Sequence, residues 1–335
     1  MKKLFLILPL IGALLFCACG GGKKQALQPV SGPYADPAIR AISTQIDAQP
    51  GDAALFFKRA KAFRALGADS VALIDLKQAV QLDSSKANYF SAIGELLFEH
   101  KDIDGSVLWF TKAIRIDPKD PVAHLKFARI LVFMNDNQKA FNEVNTVLRR
   151  DPYNAEAYFL KGVVYKNLDD TAKAMSSFQT SVQVDPGYQP SILQLALLYA
   201  AQKDTIALQY FDNAYAADTT QLMPWYGKAM FYQDKGDYEK AKKVYSMCLR
   251  KDPTYTDAYF NTGWILMHQD SLEKAVSQFS EVLKLETANF NAYYNRGLCY
   301  ELLKRKEEAK ADYKSALQYN EDYQEPKNGL KRLSK

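Results

Sequence analysis

The sequence predicts an all-α solenoid of about eight helix hairpins, and three observations carry that prediction. The first is a pattern of small, aromatic and proline positions that recurs along the chain in steps of 34 residues. The second is the clearest unit, Ala155 to Tyr188. There Tyr158, Gly162 and Tyr165 share one helix face, Asp169, Asp170 and Thr171 make a turn, and Ala174, Phe178 and Ser181 mark a second helix that Pro186 ends. The third is the absence of any long strand pattern; the 13 prolines and 16 glycines fall in part at the helix ends the period predicts. With 48% hydrophobic and 24% charged residues the chain is folded and not disordered.

Taken in order, the chain opens with Lys2 and Lys3 before an apolar run from Leu4 to Phe16, too short to stay as a membrane span. The run ends in Phe16, Cys17, Ala18 and Cys19, which resembles the lipobox of bacterial lipoproteins, although Phe16 stands where Leu is usual. That resemblance implies cleavage after residue 18, lipidation of Cys19 and a firm membrane anchor, since each buried methylene adds about 0.8 kcal/mol. Gly20 in place of an aspartate favours the outer membrane, on its periplasmic or its surface face. Residues 19–36 lack periodicity and read as a flexible tether. Residues 37–52 carry Ile39, Ile42 and Ile46 at helical spacing and read as a capping helix.

Residues 53–323 hold the eight units, beginning at Ala53, Ala87, Pro121, Ala155, Gln189, Leu222, Thr256 and Phe290. The fifth fits only if one residue is dropped at its turn. Residues 324–335, with Pro326, Leu330 and Leu333, suggest a closing cap. The succession of a large residue, Gly or Ala and an aromatic, then Ala, an aromatic, a small residue and Pro, resembles the tetratricopeptide repeat. It stands as Tyr158, Gly162, Tyr165, Ala174, Phe178, Ser181 and Pro186 in the fourth unit. The resemblance implies a right-handed superhelix whose first helices line an inner wall.

Catalytic and metal chemistry find no set of residues. His100, His124 and His268 have no metal-motif spacing, and His124 takes a core position. Cys248 and Cys299 read as small buried hydrophobes with free thiols. The formal charge of +5, or +3 without Lys2 and Lys3, is interspersed, as on a solvated face and unlike a nucleic-acid stripe. No enzyme, cofactor, metal or nucleic-acid partner is therefore expected.

The resemblance places the second, fifth, ninth and twelfth positions of each unit on the inner wall. The ninth, usually polar, is apolar from the fourth unit on, as Val163, Leu197, Met230, Trp264 and Leu298. With Phe159, Leu193, Tyr226, Phe260 and Tyr294 at the fifth position, where an aromatic also serves packing, and with Met223 and Met267, these form an expected partner-binding groove. Lys61, Arg64, Glu95, Glu99 and Arg129 give the first half of the wall a polar character. The expectation is a non-enzymatic scaffold for protein partners of the cell envelope, joined to the membrane by its N-terminal lipid. The alternative is a surface lipoprotein that takes up a glycan or peptide nutrient, with Tyr226, Phe260, Asn261 and Trp264 as the nearest sugar platform.

Overall fold

A computed structural model describes residues 32–334. The leader, the lipidation candidate Cys19 and residues 19–31 of the tether lie outside the described residues. The described chain is helical throughout, with no strand, and divides into two compact units after Tyr89.

The first unit begins with a 3₁₀ turn, Gly32–Ala35, at the end of the tether segment. There Tyr34 meets Phe63 edge-on with ring centroids 5.0 Å apart. Helix α1 (Pro37–Ala48) starts where Asp36 accepts hydrogen bonds from the amides of Ala38 and Ile39, with Pro37 already set to a helical φ. Its Ile39, Ile42 and Ile46 are buried and the helix packs on α2 (Ala53–Ala65), which forms the first hairpin with α3 (Asp69–Leu82). Ala60 and Ala72 are fully buried in this hairpin, because only small side chains let two helices approach this closely.

In the second unit α4 (Ala87–Glu99), which belongs to it from Phe90 on, pairs with α5 (Ile103–Ile116), α6 (Pro121–Phe133) with α7 (Asn137–Leu148), and α8 (Ala155–Asn167) with α9 (Thr171–Val184). Then follow α10 (Gln189–Ala201) with α11 (Ile206–Ala217), α12 (Met223–Asp234) with α13 (Tyr238–Lys251), α14 (Thr256–His268) with α15 (Leu272–Leu285), and α16 (Phe290–Leu302) with α17 (Lys306–Tyr319). Eight hairpins are thus present among the described residues. Each hairpin keys a small residue of its first helix against a large one of its second. A Cβ on Gly94 would come within 2.7 Å of the Phe110 ring, and one on Gly162 within 2.6 Å of Phe178.

The turns share one backbone device. Every hairpin passes through a left-handed residue: Gly67, Lys101, Asn135, Asp169, Lys203, Gly236, Asp270 or Lys304. The next residue's amide then donates back to the first helix, as Asp170 does to the Tyr165 carbonyl at 2.9 Å, which closes that helix in a Schellman motif. The fifth hairpin absorbs its missing residue at the start of its second helix. The buried alanine amide in the fourth hairpin, Ala174, bonds four residues back to Asp170, whereas Ala207 bonds three back to Asp204. A tighter first turn replaces the lost residue.

Helix α18 (Gln324–Leu333) covers the last hairpin, with Pro326 and Gly329 buried. Arg332 holds it down by donating to both carboxylate oxygens of Glu301, at 2.8 and 2.9 Å, while the Tyr313 hydroxyl donates to the same carboxylate.

Candidate functional site

Within the second unit the first helices of neighbouring hairpins touch, α6 with α8, α10 with α12 and α14 with α16, and side-chain contacts join α4 to α6, α8 to α10 and α12 to α14, which makes one wall. On that wall lies a cavity of about 480 Å³. Its sides come from Glu95, Phe98 and Glu99 of α4, from Val122, Leu125, Lys126, Arg129 and Ile130 of α6, and from Glu156 of α8, with Phe110 of α5 reaching in from behind. Two ion pairs cross it, Lys126 with Glu95, and Arg129 with Glu156 at 2.5 Å. The cavity therefore combines an apolar floor with a rim of both charge signs.

Beside the cavity, the first helices follow a packing rule. In four hairpins the aromatic side chain at the fifth position of the first helix lies on the large ring of the second. Phe159 lies on Phe178, Tyr226 on Tyr245, Phe260 on Phe279 and Tyr294 on Tyr313, with centroids 5.5 to 6.0 Å apart. In the second hairpin that position is Ser91, and the corresponding ring, Phe110, is fully buried and stacks on Phe127 of α6 with centroids 6.3 Å apart. Ser91 is itself buried, and among the described residues its hydroxyl is the buried side-chain polar atom without a hydrogen-bond partner.

None of the twelve residues of the expected groove lines this cavity. Eleven are half-buried, and only Met223, at 46%, is exposed. At the fifth positions packing takes most of the surface. Phe159 also meets Tyr188, Tyr226 also meets Tyr255, and Tyr294 also meets Tyr323, while Leu193 packs beside Phe211. At the ninth positions Val163 packs near Phe178, Leu197 near Ala207, and Met230 near Tyr245. Trp264 meets Tyr238 edge-on and stacks on His268 at 3.6 Å; Met267 packs near Phe279, and Leu298 is half-buried. Asn261, the polar member of the sugar platform, gives its amide to the Tyr226 hydroxyl at 3.0 Å.

The remaining chemistry-bearing side chains are built into the core. Cys248 and Cys299 are buried free thiols, and burial pushes them up to about 11 and about 12. Thiols so placed stay protonated and unreactive. His124 is buried with Nδ1 at 2.5 Å from a Glu143 oxygen and Nε2 at 3.1 Å from the Pro118 carbonyl. Among the described residues no group of three or more His, Cys, Asp or Glu could hold a metal ion, and no helix is long and apolar enough to cross a membrane.

Residues 155–188, 226–288 and 290–323 match models of the tetratricopeptide repeat. A tetratricopeptide repeat protein from Parabacteroides merdae superposes with a TM-score of 0.53 at 18% identity, covering 75% of this chain and 100% of that one. The C-terminal part of a repeat-containing protein from Cytophaga hutchinsonii superposes at 0.56 with 15% identity, over 71% and 98% of the two chains. At these identities the likeness is one of fold. The general transcriptional corepressor ssn6 of Schizosaccharomyces pombe is 25% identical over 39% of this chain and 12% of its own length. The DnaJ homolog subfamily C member 7 homolog of the same yeast is 25% identical over 62% of this chain and 40% of its own. The chain thus spans less than half the length of these curated relatives. Three matched repeat models, hairpins packed in sequence order and the shared solenoid fold identify this chain as a member of the tetratricopeptide-repeat family.

Proposed function

We propose that the protein is a non-enzymatic scaffold of the bacterial cell envelope, lipid-anchored through Cys19 and holding a segment of a partner protein on its first-helix wall. Repeat arrays of this family serve as protein-interaction scaffolds, and the observation that carries the reading here is the cavity between α4, α6 and α8. An apolar floor with charged groups at the rim is the surface that captures an amphipathic or extended peptide. The ninth-position residues Val163, Leu197, Met230, Trp264 and Leu298 extend the same wall toward α16. Their fifth-position neighbours contribute shape more than free surface.

The anchor rests on the sequence at Cys19, and the outer membrane on Gly20 after it. A photoreactive residue placed at Val122, and in a second sample at Trp264, tests the scaffold in intact cells. The expected result is a cross-link to one envelope protein from each position. A wall that cross-links to no protein from either position ends the reading. Cys19→Ser is expected to release the protein from membranes; unchanged membrane association would remove the anchor.

A further inference from the structure

We infer that α6, which lines the cavity with Val122, Leu125, Lys126, Arg129 and Ile130, is held in place by a proton on His124, so that the shape of the cavity depends on pH. This goes beyond the scaffold reading, and its test needs no partner. The observation that carries it is a likeness between three hairpins. Asp75, Glu143 and Asp312 stand at the same position of the units that begin at Ala53, Pro121 and Phe290. Each of these carboxylates bonds to a base on the first helix of its own hairpin. In the first and eighth hairpins the base is Arg59 or Arg296, and a guanidinium stays charged at any working pH. In the third it is His124, and an imidazole changes its charge near neutral pH. The same tie is therefore permanent in two hairpins and titratable in the one whose first helix stands at the middle of the cavity.

The neutral ring is one donor short. Nδ1 lies 2.5 Å from a Glu143 oxygen and Nε2 lies 3.1 Å from the Pro118 carbonyl, so the imidazolium donates to both acceptors and the neutral ring to one alone. The bond to Glu143 raises the pKa of the buried ring above 6.5 in spite of desolvation, so the proton is held at pH 6 and leaves as pH rises through the folded value. Its loss removes a tie that holds α6 either to α7 or to the loop before α6. A void of about 60 Å³ beside the ring, bordered by Pro121, Thr146 and Val147, gives the ring room to shift. The other charged groups around the ring are Lys119 and Asp120 from the loop before α6, and Arg150 and Asp151 from beyond α7. Asp120 is engaged as the N-cap of α6, accepting from the amide of Val122 at 2.9 Å. The end of α6 that the proton holds therefore carries a lining residue.

The test is NMR on the full chain, titrated from about pH 5.5 to about pH 8.5. It follows the His124 ring, the methyl groups of Val122, Leu125 and Ile130, and amide exchange over residues 122–130 corrected for its intrinsic pH dependence. The three lining residues are expected to shift with the midpoint of the His124 ring, above pH 6.5. Protection of α6 is expected to fall at least about threefold above that midpoint, while protection of α12 stays level. Glu143→Gln offers an amide to Nδ1 of the neutral ring while Nε2 donates to Pro118, so both bonds form without a proton. This variant is expected to stay folded and to lose the pH dependence of Val122, Leu125 and Ile130. His124→Gln removes the titrating group and is expected to lose it as well. Lining methyl groups that stay still while His124 titrates, a His124 midpoint below 6.5, or an unchanged pH dependence in Glu143→Gln overturns the inference.

Discussion

Asp312 on α17 accepts two hydrogen bonds from the Arg296 guanidinium on α16, at 2.7 Å from Nε and 2.8 Å from Nη2. The remaining Nη1 donates to Ser280 of the preceding hairpin at 3.0 Å. The first hairpin repeats the arrangement with Arg59, Asp75 and Ser43 at the same three distances. Both carboxylates are buried, at 3% and 5% exposure, so each pair is a closed fork in the core and not a surface bridge. The Asp312 contact also raises the pKa of Arg296, which keeps the guanidinium charged in spite of its burial.

A buried pair of this kind is most sensitive to the loss of one member. Asp312→Ala leaves Arg296 charged, without its carboxylate and with Ser280 as its remaining hydrogen-bond partner, and is expected to lower stability by about 3 to 5 kcal/mol. Replacing both, as Arg296→Met with Asp312→Leu, is expected to recover most of that loss, because no charge remains buried. Thermal unfolding together with hydrogen exchange over α16 and α17 measures both. A single variant as stable as the parent would show that the fork contributes nothing.

The left-handed turn residue gives a prediction of opposite sign. Six of the eight turns place a side chain at positive φ, with Lys304 at 61°. A Cβ in that region costs roughly 1 to 2 kcal/mol, and glycine removes the cost while adding some freedom to the unfolded chain. Lys304→Gly is therefore expected to raise stability by about 0.5 to 1 kcal/mol. Gly236→Val, at φ 76°, is expected to lower it by at least about 1 kcal/mol. Equilibrium urea unfolding reads both, and a destabilising Lys304→Gly would contradict the backbone argument.

The pair His124 and Glu143 sets a pH dependence. The hydrogen bond to Glu143 raises the imidazole pKa above 6.5, against burial, which lowers it. Both ring nitrogens face acceptors, Glu143 from α7 and the Pro118 carbonyl, so only the protonated ring donates to both. Asp120 lies nearby, and Lys119, Arg150 and Asp151 border the same small void as the ring. A raised folded pKa means that the stabilisation is complete below the unfolded value of 6.5 and is lost as pH rises through the folded value. The parent is therefore expected to be less stable at pH 8.5 than at pH 6 relative to His124→Gln. Parallel stability curves for the two would rule the pair out as the source.

The fold was legible because its signal is a repetition. A single match of small and aromatic residues means little, but Ala60, Gly94, Ala128 and Gly162 at one spacing fix both the helices and the faces they bury. The Arg296 and Asp312 fork was not legible, since a charged pair 16 residues apart has no meaning until two helices are folded against each other. The left-handed turns were half-written, in Gly67 and Gly236, and hidden where lysine or aspartate takes the same strained position. The apolar ninth positions gave the wall but not the cavity. The cavity is made by side chains of α4, α6 and α8, which lie about 30 residues apart in the chain and meet only in the folded array.

The close approach of Gly162 to Phe178 supports a last prediction, on coupling between two positions. A Cβ on Gly162 would stand 2.6 Å from the Phe178 ring, nearer than any unstrained contact, and Phe178 is fully buried. Gly162→Ala gains about 1 kcal/mol of helix propensity but must displace that ring, and overpacking costs about 1 to 3 kcal/mol. A net loss is expected. Phe178→Leu alone is also expected to destabilise, because the smaller side chain leaves space beside the glycine. Together the two changes exchange bulk across one contact, so the double variant is expected to be more stable than the sum of the single losses allows, by about 0.5 kcal/mol or more. A double-mutant cycle on thermal unfolding measures the coupling directly. Simple additivity would mean that the helices slide apart to admit the methyl group, and that the glycine is not what sets their separation.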